Sequence, residues 1–339
     1  MHNNISFFIP HLGCPHCCSF CSQKKISGTE EIPSYEKIRK TCKEALEYIK
    51  NPQDTEIAFF GGSFTALPEN QMIEFLECVQ DFISEDKFFG IRVSTRPDAI
   101  DEHICDILEK YHVTSVELGA QSMNDEVLLM NERGHDSKQV EDAAKLLKNR
   151  GFSLGLQMMT GLWGSDAEKD VETAIKIAEL EPETVRIYPT VVLENTKLGE
   201  IFKDGKYKMM SFEEMAELCS RLLQFFDEKN IKVIKCGLHA EKGVEENMIA
   251  GYYHPAFREI CESLVFRNKM EEFIKNHRET NEFTFYVDKK NVSKAVGQKK
   301  SNINYFGSQN VKIKIKGTES GKFSAEESNV FKIVGATGI

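Results

Sequence analysis

The sequence predicts an α/β fold: a partial (β/α)6 TIM-like barrel followed by a small C-terminal α+β module. Short apolar runs alternate with longer amphipathic segments along roughly the first two hundred residues, which indicates a parallel sheet with helices outside. The pattern yields six strand–helix units, two short of a closed eightfold barrel. A length of 339 residues with 41% hydrophobic content suffices for one large and one small domain.

The strands and helices of the predicted barrel follow one another along the chain. The apolar runs predict strands at 5–10, 56–60, 91–95, 115–119, 153–158 and 184–188. Amphipathic patterns predict helices at 34–50, 69–84, 101–110, 124–130, 137–150 and 166–179. Beyond them lie an amphipathic helix, a short strand and a long helix, at 211–230, 231–234 and 255–277. The predicted domains are a barrel at 1–240, a bridging helical segment at 241–282, a basic module at 283–316 and a tail at 317–339.

The loop after the first strand carries Cys14, Cys18 and Cys21 in the spacing C-x3-C-x2-C. Three thiolates on one loop suit an iron–sulfur cluster or zinc, and ordinary buried cysteines are the alternative. Structural zinc usually takes four ligands, and no C-x2-C pair follows downstream. A cluster with three protein ligands leaves one iron open to a substrate or cofactor. We interpret Cys17, between the ligands, as a bystander.

Polar or glycine residues follow several predicted strands, where an α/β barrel keeps its chemistry. Gly61 and Gly62 end the second strand and would let the backbone approach a ligand. Gln121 and Gln157 can each donate and accept hydrogen bonds, and Arg133 offers a planar fork for a carboxylate. Taken singly, each of these residues is more typical of a turn, a cap or a surface position.

The cysteine spacing resembles that of the radical S-adenosylmethionine (SAM) superfamily, in which three cysteines hold a 4Fe–4S cluster. The motifs TRPD, LGAQS, RGH, MM and YPTVV at 95–98, 118–122, 133–135, 158–159 and 188–192 look like the radical SAM domain of the Elongator catalytic-subunit family. That family modifies wobble uridines in tRNA, and the resemblance covers roughly residues 5–240. The short C-x3-C gap is instead similar to oxygen-independent coproporphyrinogen oxidases. Since we expect no room for an acetyltransferase domain, acetyl-CoA chemistry is not carried over.

The resemblance implies a role for each motif residue. The cluster would be held by Cys14, Cys18 and Cys21, and SAM would chelate its open iron. The SAM contacts implied by the resemblance are the backbone of Phe20, Gly61, Gly62 and Ser63 and the side chains of Ser94, Gln121, Arg133 and Gln157, with Tyr188 nearby. One electron, from a reductant such as flavodoxin or ferredoxin, would cleave SAM to methionine and a 5′-deoxyadenosyl radical. No residue is singled out as a catalytic acid or base.

The C-terminal module reads as strand–helix–turn–helix–strand and resembles the core of a KH RNA-binding domain. Its turn, at 297–300, has Lys300 in place of the second glycine of the KH loop. Only Asp288 opposes a group of lysines there, which indicates contact with RNA, either tRNA or rRNA. A solubilising cap is the alternative. These lysines are Lys289, Lys290, Lys294, Lys299, Lys300, Lys312, Lys314 and Lys316.

Composition, charge and hydropathy limit the remaining classes of protein. No N-terminal segment resembles a signal peptide and no apolar run could span a membrane, so we expect a cytosolic protein. Ten cysteines in such a protein indicate metal or thiol chemistry rather than disulfides. A net charge of −10 argues against a wholly basic surface. The preferred function is radical SAM modification of RNA. A radical SAM enzyme for a tetrapyrrole or modified base, and a non-catalytic metal-stabilised RNA-binding protein, are the alternatives.

Overall fold

The computed structural model describes residues 3–9, 18–21, 32–238, 242–277, 280–319 and 323–327. They belong to two compact units. The first comprises Met1–Met215 and Phe225–Pro255, and the second comprises Ala216–Gln224 and Ala256–Ile339. Within the described ranges, no helix has the length and apolar character needed to cross a membrane.

The first unit is built on a parallel sheet. Its strands are β1 (Asn3–Ile9), β2 (Thr55–Gly61), β3 (Gly90–Thr95), β4 (Val113–Gln121), β5 (Ser153–Thr160), β6 (Thr184–Pro189), β7 (Val191–Leu193), β8 (Lys232–Cys236) and β9 (Met248–Gly251). Seven of them form one curled sheet in the order β1-β2-β3-β4-β5-β6-β8, with every neighbour parallel. β7 and β9 form a separate antiparallel pair. The predicted partial barrel is therefore confirmed, and β8 extends its edge by a seventh strand.

The helices of this unit follow the strands in alternation. They are α1 (Tyr35–Tyr48), α2 (Glu69–Glu77), α3 (Glu102–Lys110), α4 (Asp125–Met130), α5 (Ser137–Asn149), α6 (Ala167–Glu179), α7 (Lys197–Lys203), α8 (Phe212–Glu228) and α9 (Lys242–Asn247). The middle of α8 belongs to the second unit. The helix predicted over 69–84 is shorter than expected. It ends at Glu77 because the chain turns at Cys78, where the Gln80 side chain bonds the Leu76 carbonyl at 2.9 Å.

Capping side chains fix where most of these helices begin. A side-chain oxygen at the N-cap accepts a backbone N–H of the first turn and so satisfies a donor that has no helical partner. Asp136 and Ser211 form complete capping boxes at α5 and α8. The other caps are Ser34, Asp101, Asn124, Asp166 and Thr196.

The two faces of the sheet differ in chemistry. On β2, Ile57 and Phe59 are buried, and Phe59 stacks on Phe64 with ring centroids 5.2 Å apart. The alternate residue Glu56 projects to the opposite face, since successive strand side chains alternate. There it meets Arg92 of β3. The sheet therefore has an aromatic, helix-covered face and a polar inner face.

The second unit contains α10 (Phe257–Asn276), β10 (Glu282–Asp288), α11 (Val292–Val296), α12 (Ser301–Ser308), β11 (Lys312–Thr318) and β12 (Ser324–Glu327). Its sheet has the order β11-β10-β12, with β10 parallel to β11 and antiparallel to β12. The predicted strand–helix–turn–helix–strand order is present. β12 lies inside the predicted tail, and β11 runs beyond 316. The domain boundaries themselves stay predictions. The core of this unit is formed by Met270, Phe283, Phe285, Val287, Ala295, Phe306 and Ile313.

Candidate active site

The described part of the cysteine loop lies beside the end of α4. Cys14, the first predicted ligand, lies outside the described residues. Cys18 is buried and Cys21 is half-buried, and the Cys21 N–H donates to the Cys18 carbonyl at 3.0 Å. This bond closes a tight turn through Ser19 and Phe20. Two of the three predicted thiols are therefore presented by one turn, at the carboxyl end of the barrel strands.

Arg133 reaches this turn from the segment after α4. Its Nη1 donates to Cys18 Sγ at 3.2 Å and its Nη2 donates to the Gly119 carbonyl at 2.8 Å. A Cβ at position 119 would lie 2.8 Å from Arg133 Nη2 and 2.9 Å from Gln121 Nε2. Glycine at 119 therefore makes room for both predicted side chains. The structure brings Cys18, Arg133 and Gln121 together, and the cofactor roles given to them stay predictions.

The exit of β2 is held against the end of β1. Gly61 has φ +114°, and a Cβ there would lie 2.7 Å from the Ile9 carbonyl, which accepts a hydrogen bond from the Gly62 N–H at 2.8 Å. The Ser63 hydroxyl is committed to the protein, because it bonds Thr95 Oγ1 at 2.9 Å and accepts the Arg96 N–H at 3.1 Å. The cofactor contact predicted for the backbone of this segment stays a prediction.

Ser94, Gln157 and Tyr188 are half-buried on the inner face of the sheet. Gln157 pairs in register with Gly119 on one side and with Arg186 on the other. Tyr188 OH accepts a hydrogen bond from Arg186 Nη1 at 3.4 Å. Burial raises the pKa of Tyr188, which keeps the phenol protonated near neutral pH. The inner face therefore offers hydroxyl and amide groups without a formal charge at these three positions.

Below these residues lies a ladder of buried ion pairs, which sequence reasoning missed. Arg92 bonds Glu56 at 2.7 Å and Glu117 at 3.1 Å, and Glu117 is held by Arg186 through contacts of 2.5 and 2.9 Å. The sequence signal that could have revealed these ion pairs is the single charged residue within each of four apolar strands. The ladder balances two carboxylates with two guanidinium groups, so it adds no net charge beneath the site.

His135 and Asp170 are two further buried titratable groups near the strand ends. His135 Nε2 donates to the Ala120 carbonyl at 3.2 Å, and burial beside Arg133 lowers the pKa of His135 to about 4. Asp170 accepts the Gly161 N–H at 2.7 Å and the Ser165 hydroxyl at 2.6 Å. Burial raises the pKa of Asp170 to about 7. These groups shape the loops after β4 and β5.

The chemistry of these residues fits the predicted cofactors. Thiols such as those of Cys18 and Cys21 are soft ligands suited to iron–sulfur clusters. Gln121 Oε1 and Arg133 Nε are buried and have no hydrogen-bond partner among the described residues. Buried polar atoms are usually paired, so two unpaired ones beside the cysteine turn fit a polar ligand. In the described ranges, no three His, Cys, Asp or Glu side chains converge as a metal site, and Cys14 lies outside them.

Two family models match the chain. The model of the radical SAM superfamily matches residues 8–176, and that of the radical SAM C-terminal domain matches residues 182–266. Together they cover most of the sequence. The chain therefore belongs to the radical SAM superfamily and is an enzyme. Members of this superfamily use a 4Fe–4S cluster and SAM.

Particular relatives point to the Elongator branch. An uncharacterized protein of Methanocaldococcus jannaschii is 30% identical over 227 residues, which are 66% of each chain. Human Elongator complex protein 3 is 32% identical over 189 residues, 50% of this chain and 34% of that protein. The tRNA uridine(34) acetyltransferase of M. jannaschii is 31% identical over 198 residues, 52% of this chain and 37% of that protein. The predicted resemblance is confirmed, although the chain spans only about a third of these last two relatives.

A solved structure supports the fold. The archaeal Elp3 of Methanocaldococcus infernus superposes with a TM-score of 0.59 at 21% identity, over 82% of this chain and 63% of that one. At this identity the likeness concerns architecture alone.

Proposed function

We propose that this enzyme modifies a nucleotide of RNA, with tRNA as the first candidate. The observation that carries the substrate class is the similarity to a tRNA uridine(34) acetyltransferase across the radical SAM domain. Because the chain spans little more than a third of that protein, the proposal takes over the RNA substrate and not acetyl transfer. A cytosolic location belongs to the same proposal.

Each site residue has a proposed task. Cys14, Cys18 and Cys21 bind the cluster, and the cluster with SAM supplies a 5′-deoxyadenosyl radical when bound. Flavodoxin or ferredoxin is the proposed source of the electron. The remaining residues bind and orient SAM, through the backbone of Phe20, Gly61, Gly62 and Ser63 and the side chains of Ser94, Gln121, Arg133 and Gln157, with Tyr188 close by.

Four lysines of the C-terminal module that form no ion pair support binding of an anionic partner. Lys289, Lys290, Lys294 and Lys312 each pair with a carboxylate. Within the described ranges, no such pair is formed by Lys299, Lys300, Lys314 or Lys316. Lysines that lack an acidic partner keep their charge available for phosphate groups.

The backbone conformation of the turn at 297–300 supports the proposed contact with RNA. Gly297 has φ +81°, and a Cβ there would lie 2.2 Å from Ser301 Oγ. Lys300 adopts φ +62°, the left-handed conformation that glycine takes readily. The lysine at the second glycine position of the KH-like loop therefore keeps a glycine-like backbone. Asn302 bonds the Ala295 carbonyl at 2.9 Å and ties the two helices beside the turn.

A two-stage experiment tests the function. Protein reconstituted anaerobically with iron and sulfide is given SAM and dithionite, and 5′-deoxyadenosine is measured with Cys18→Ala as control. Product that disappears in the control supports radical chemistry. Its absence from well-folded protein refutes that chemistry and favours the metal-stabilised binding protein.

Binding of tRNA is then measured across salt concentrations for K299A/K300A and for the matched control K289A/K290A. We expect the first pair to weaken binding more and to flatten the salt dependence by about two phosphate contacts. Equal effects of the two pairs would remove the role of the turn. Absence of RNA binding by the wild-type enzyme would favour a small-molecule substrate.

A further inference from the structure

We propose that residues 131–133 form a preformed seat for the cysteine turn, and that Asn131 and Arg133 are positioning residues for the cluster. The seat joins the end of α4 to the turn at 18–21. This inference concerns how the chain presents its thiolates, and it does not depend on the RNA substrate proposed above.

Asn131 is fully buried, and its polar groups are all in use. Its backbone carbonyl accepts the Ser19 N–H at 3.1 Å, and its Oδ1 accepts the Ser19 hydroxyl at 3.0 Å. Its Nδ2 donates to the carbonyls of Val127 and Trp163, both at 2.8 Å. The two carbonyls fix which end of the amide is the donor, so Oδ1 must face Ser19. One side chain thereby ties the cysteine turn to α4 and to the loop after β5.

The opposite side of the turn is held as well. The Ser19 carbonyl accepts the Leu198 N–H at 2.8 Å, at the start of α7. Phe20 packs against a group of hydrophobic side chains that includes Leu198 and Tyr207. Both residues between Cys18 and Cys21 are therefore anchored to protein by contacts that involve no thiol.

Arg133 adds a contact to a predicted ligand itself. Its two terminal nitrogens bridge Cys18 Sγ and the Gly119 carbonyl, which places a guanidinium charge against one thiolate position. Hydrogen bonds to sulfur are one of the factors that set the reduction potential of an iron–sulfur cluster. A cationic donor favours the reduced, more negative cluster, so removal of the donor should make the potential more negative.

The test measures the cluster rather than turnover. After anaerobic reconstitution, iron and sulfide per chain are determined, and the rate of cluster loss to a chelator is followed by absorbance. Partners behind metal ligands typically change metal affinity about 10–100-fold, so we expect Asn131→Ala to speed cluster loss about tenfold or more. Ser19→Ala removes only the hydroxyl contact and should have a smaller effect in the same direction. It also serves if Asn131→Ala fails to fold.

Asn124→Ala is the matched control. It removes the N-cap hydrogen bond at the other end of α4, from the Val127 N–H to Asn124 Oδ1, and does not contact the cysteine turn. Cluster loss at equal rates in Asn124→Ala and in the Asn131 or Ser19 variants would overturn the seat. For Arg133, the midpoint potential is measured by redox titration with electron paramagnetic resonance. We expect Arg133→Met to shift it to more negative values and Arg133→Lys to restore part of the shift. An unchanged potential in Arg133→Met would refute the thiolate contact.

Discussion

Replacement of Arg92 by methionine tests the buried ion-pair ladder. The Arg92 side chain is only 4% exposed, and it holds Glu56 and Glu117, which are 0% and 3% exposed. Glu117 keeps its two contacts with Arg186, so only Glu56 is left without a cation. Loss of one partner from a buried pair costs about 3–5 kcal/mol. Glu56 retains hydroxyl donors at 2.9 and 2.5 Å, which places our expectation near the lower end, about 3 kcal/mol.

Urea unfolding measures this change, with Arg39→Met as the control. Arg39 contacts Asp81 at 2.6 Å, as close as the buried pair, but its side chain is 45% exposed. Water replaces an exposed partner, so the control should lose far less stability. The double variant Glu56→Gln with Arg92→Met should lose less than the sum of the single variants, because no unpaired carboxylate remains. Equal losses for Arg92→Met and Arg39→Met would refute the reasoning.

Three further predictions concern single positions of the first unit. Gly61→Ala should cost about 3 kcal/mol or more in urea unfolding, because φ +114° is strained for alanine and the Cβ meets the Ile9 carbonyl. Gly151→Ala, at φ +83° in open space, should cost only the conformational part of about 1–2 kcal/mol, and an equal loss would argue against the clash. The pKa of His135 is lowered to about 4 in the fold, so its contribution to stability is complete above pH 6.5 and is lost as the pH falls toward 4. The stability of His135→Gln should therefore depend less on pH over that window. An unchanged pH profile of stability would contradict this prediction. The pKa of Asp170 is raised to about 7, so its contribution to stability is lost as the pH rises from about 4 through 7. The stability of Asp170→Asn relative to the wild-type protein should therefore increase over that range. A stability difference that stays constant with pH would exclude this linkage.

Sequence pattern was sufficient for the barrel because its strands are short, apolar and separated by amphipathic helices. Each predicted barrel strand is present, and the module elements follow the predicted order. Pattern was insufficient for β7, β9 and β12, which are three or four residues long. The pairing of β7 with β9 joins residues about sixty positions apart, and a run of three residues has no detectable period.

Motifs named the candidate site residues, and the roles given to them stay predictions. In the structure Cys18, Gln121 and Arg133 lie close together around Gly119, which the motifs contained but did not single out. Asn131 stands two positions before Arg133, and neither composition nor periodicity separates it from a helix-end asparagine. The positioning role that we propose for Asn131 rests on contacts with a turn more than a hundred positions earlier in the chain. Such contacts depend on tertiary packing, which one sequence does not display.

The ladder and the seat support the site in different ways, and this makes their effects separable. The ladder joins β2, β3, β4 and β6 through side chains buried beneath Ser94 and Gln157, so its loss should lower the free energy of unfolding of the whole sheet. The seat contacts the turn at 18–21, which belongs to no strand of that sheet. Asn131 should therefore govern cluster retention more than global stability, whereas Arg92 should govern global stability more than cluster retention. A common loss of both properties in both variants would mean that the cysteine turn and the sheet behave as one cooperative element.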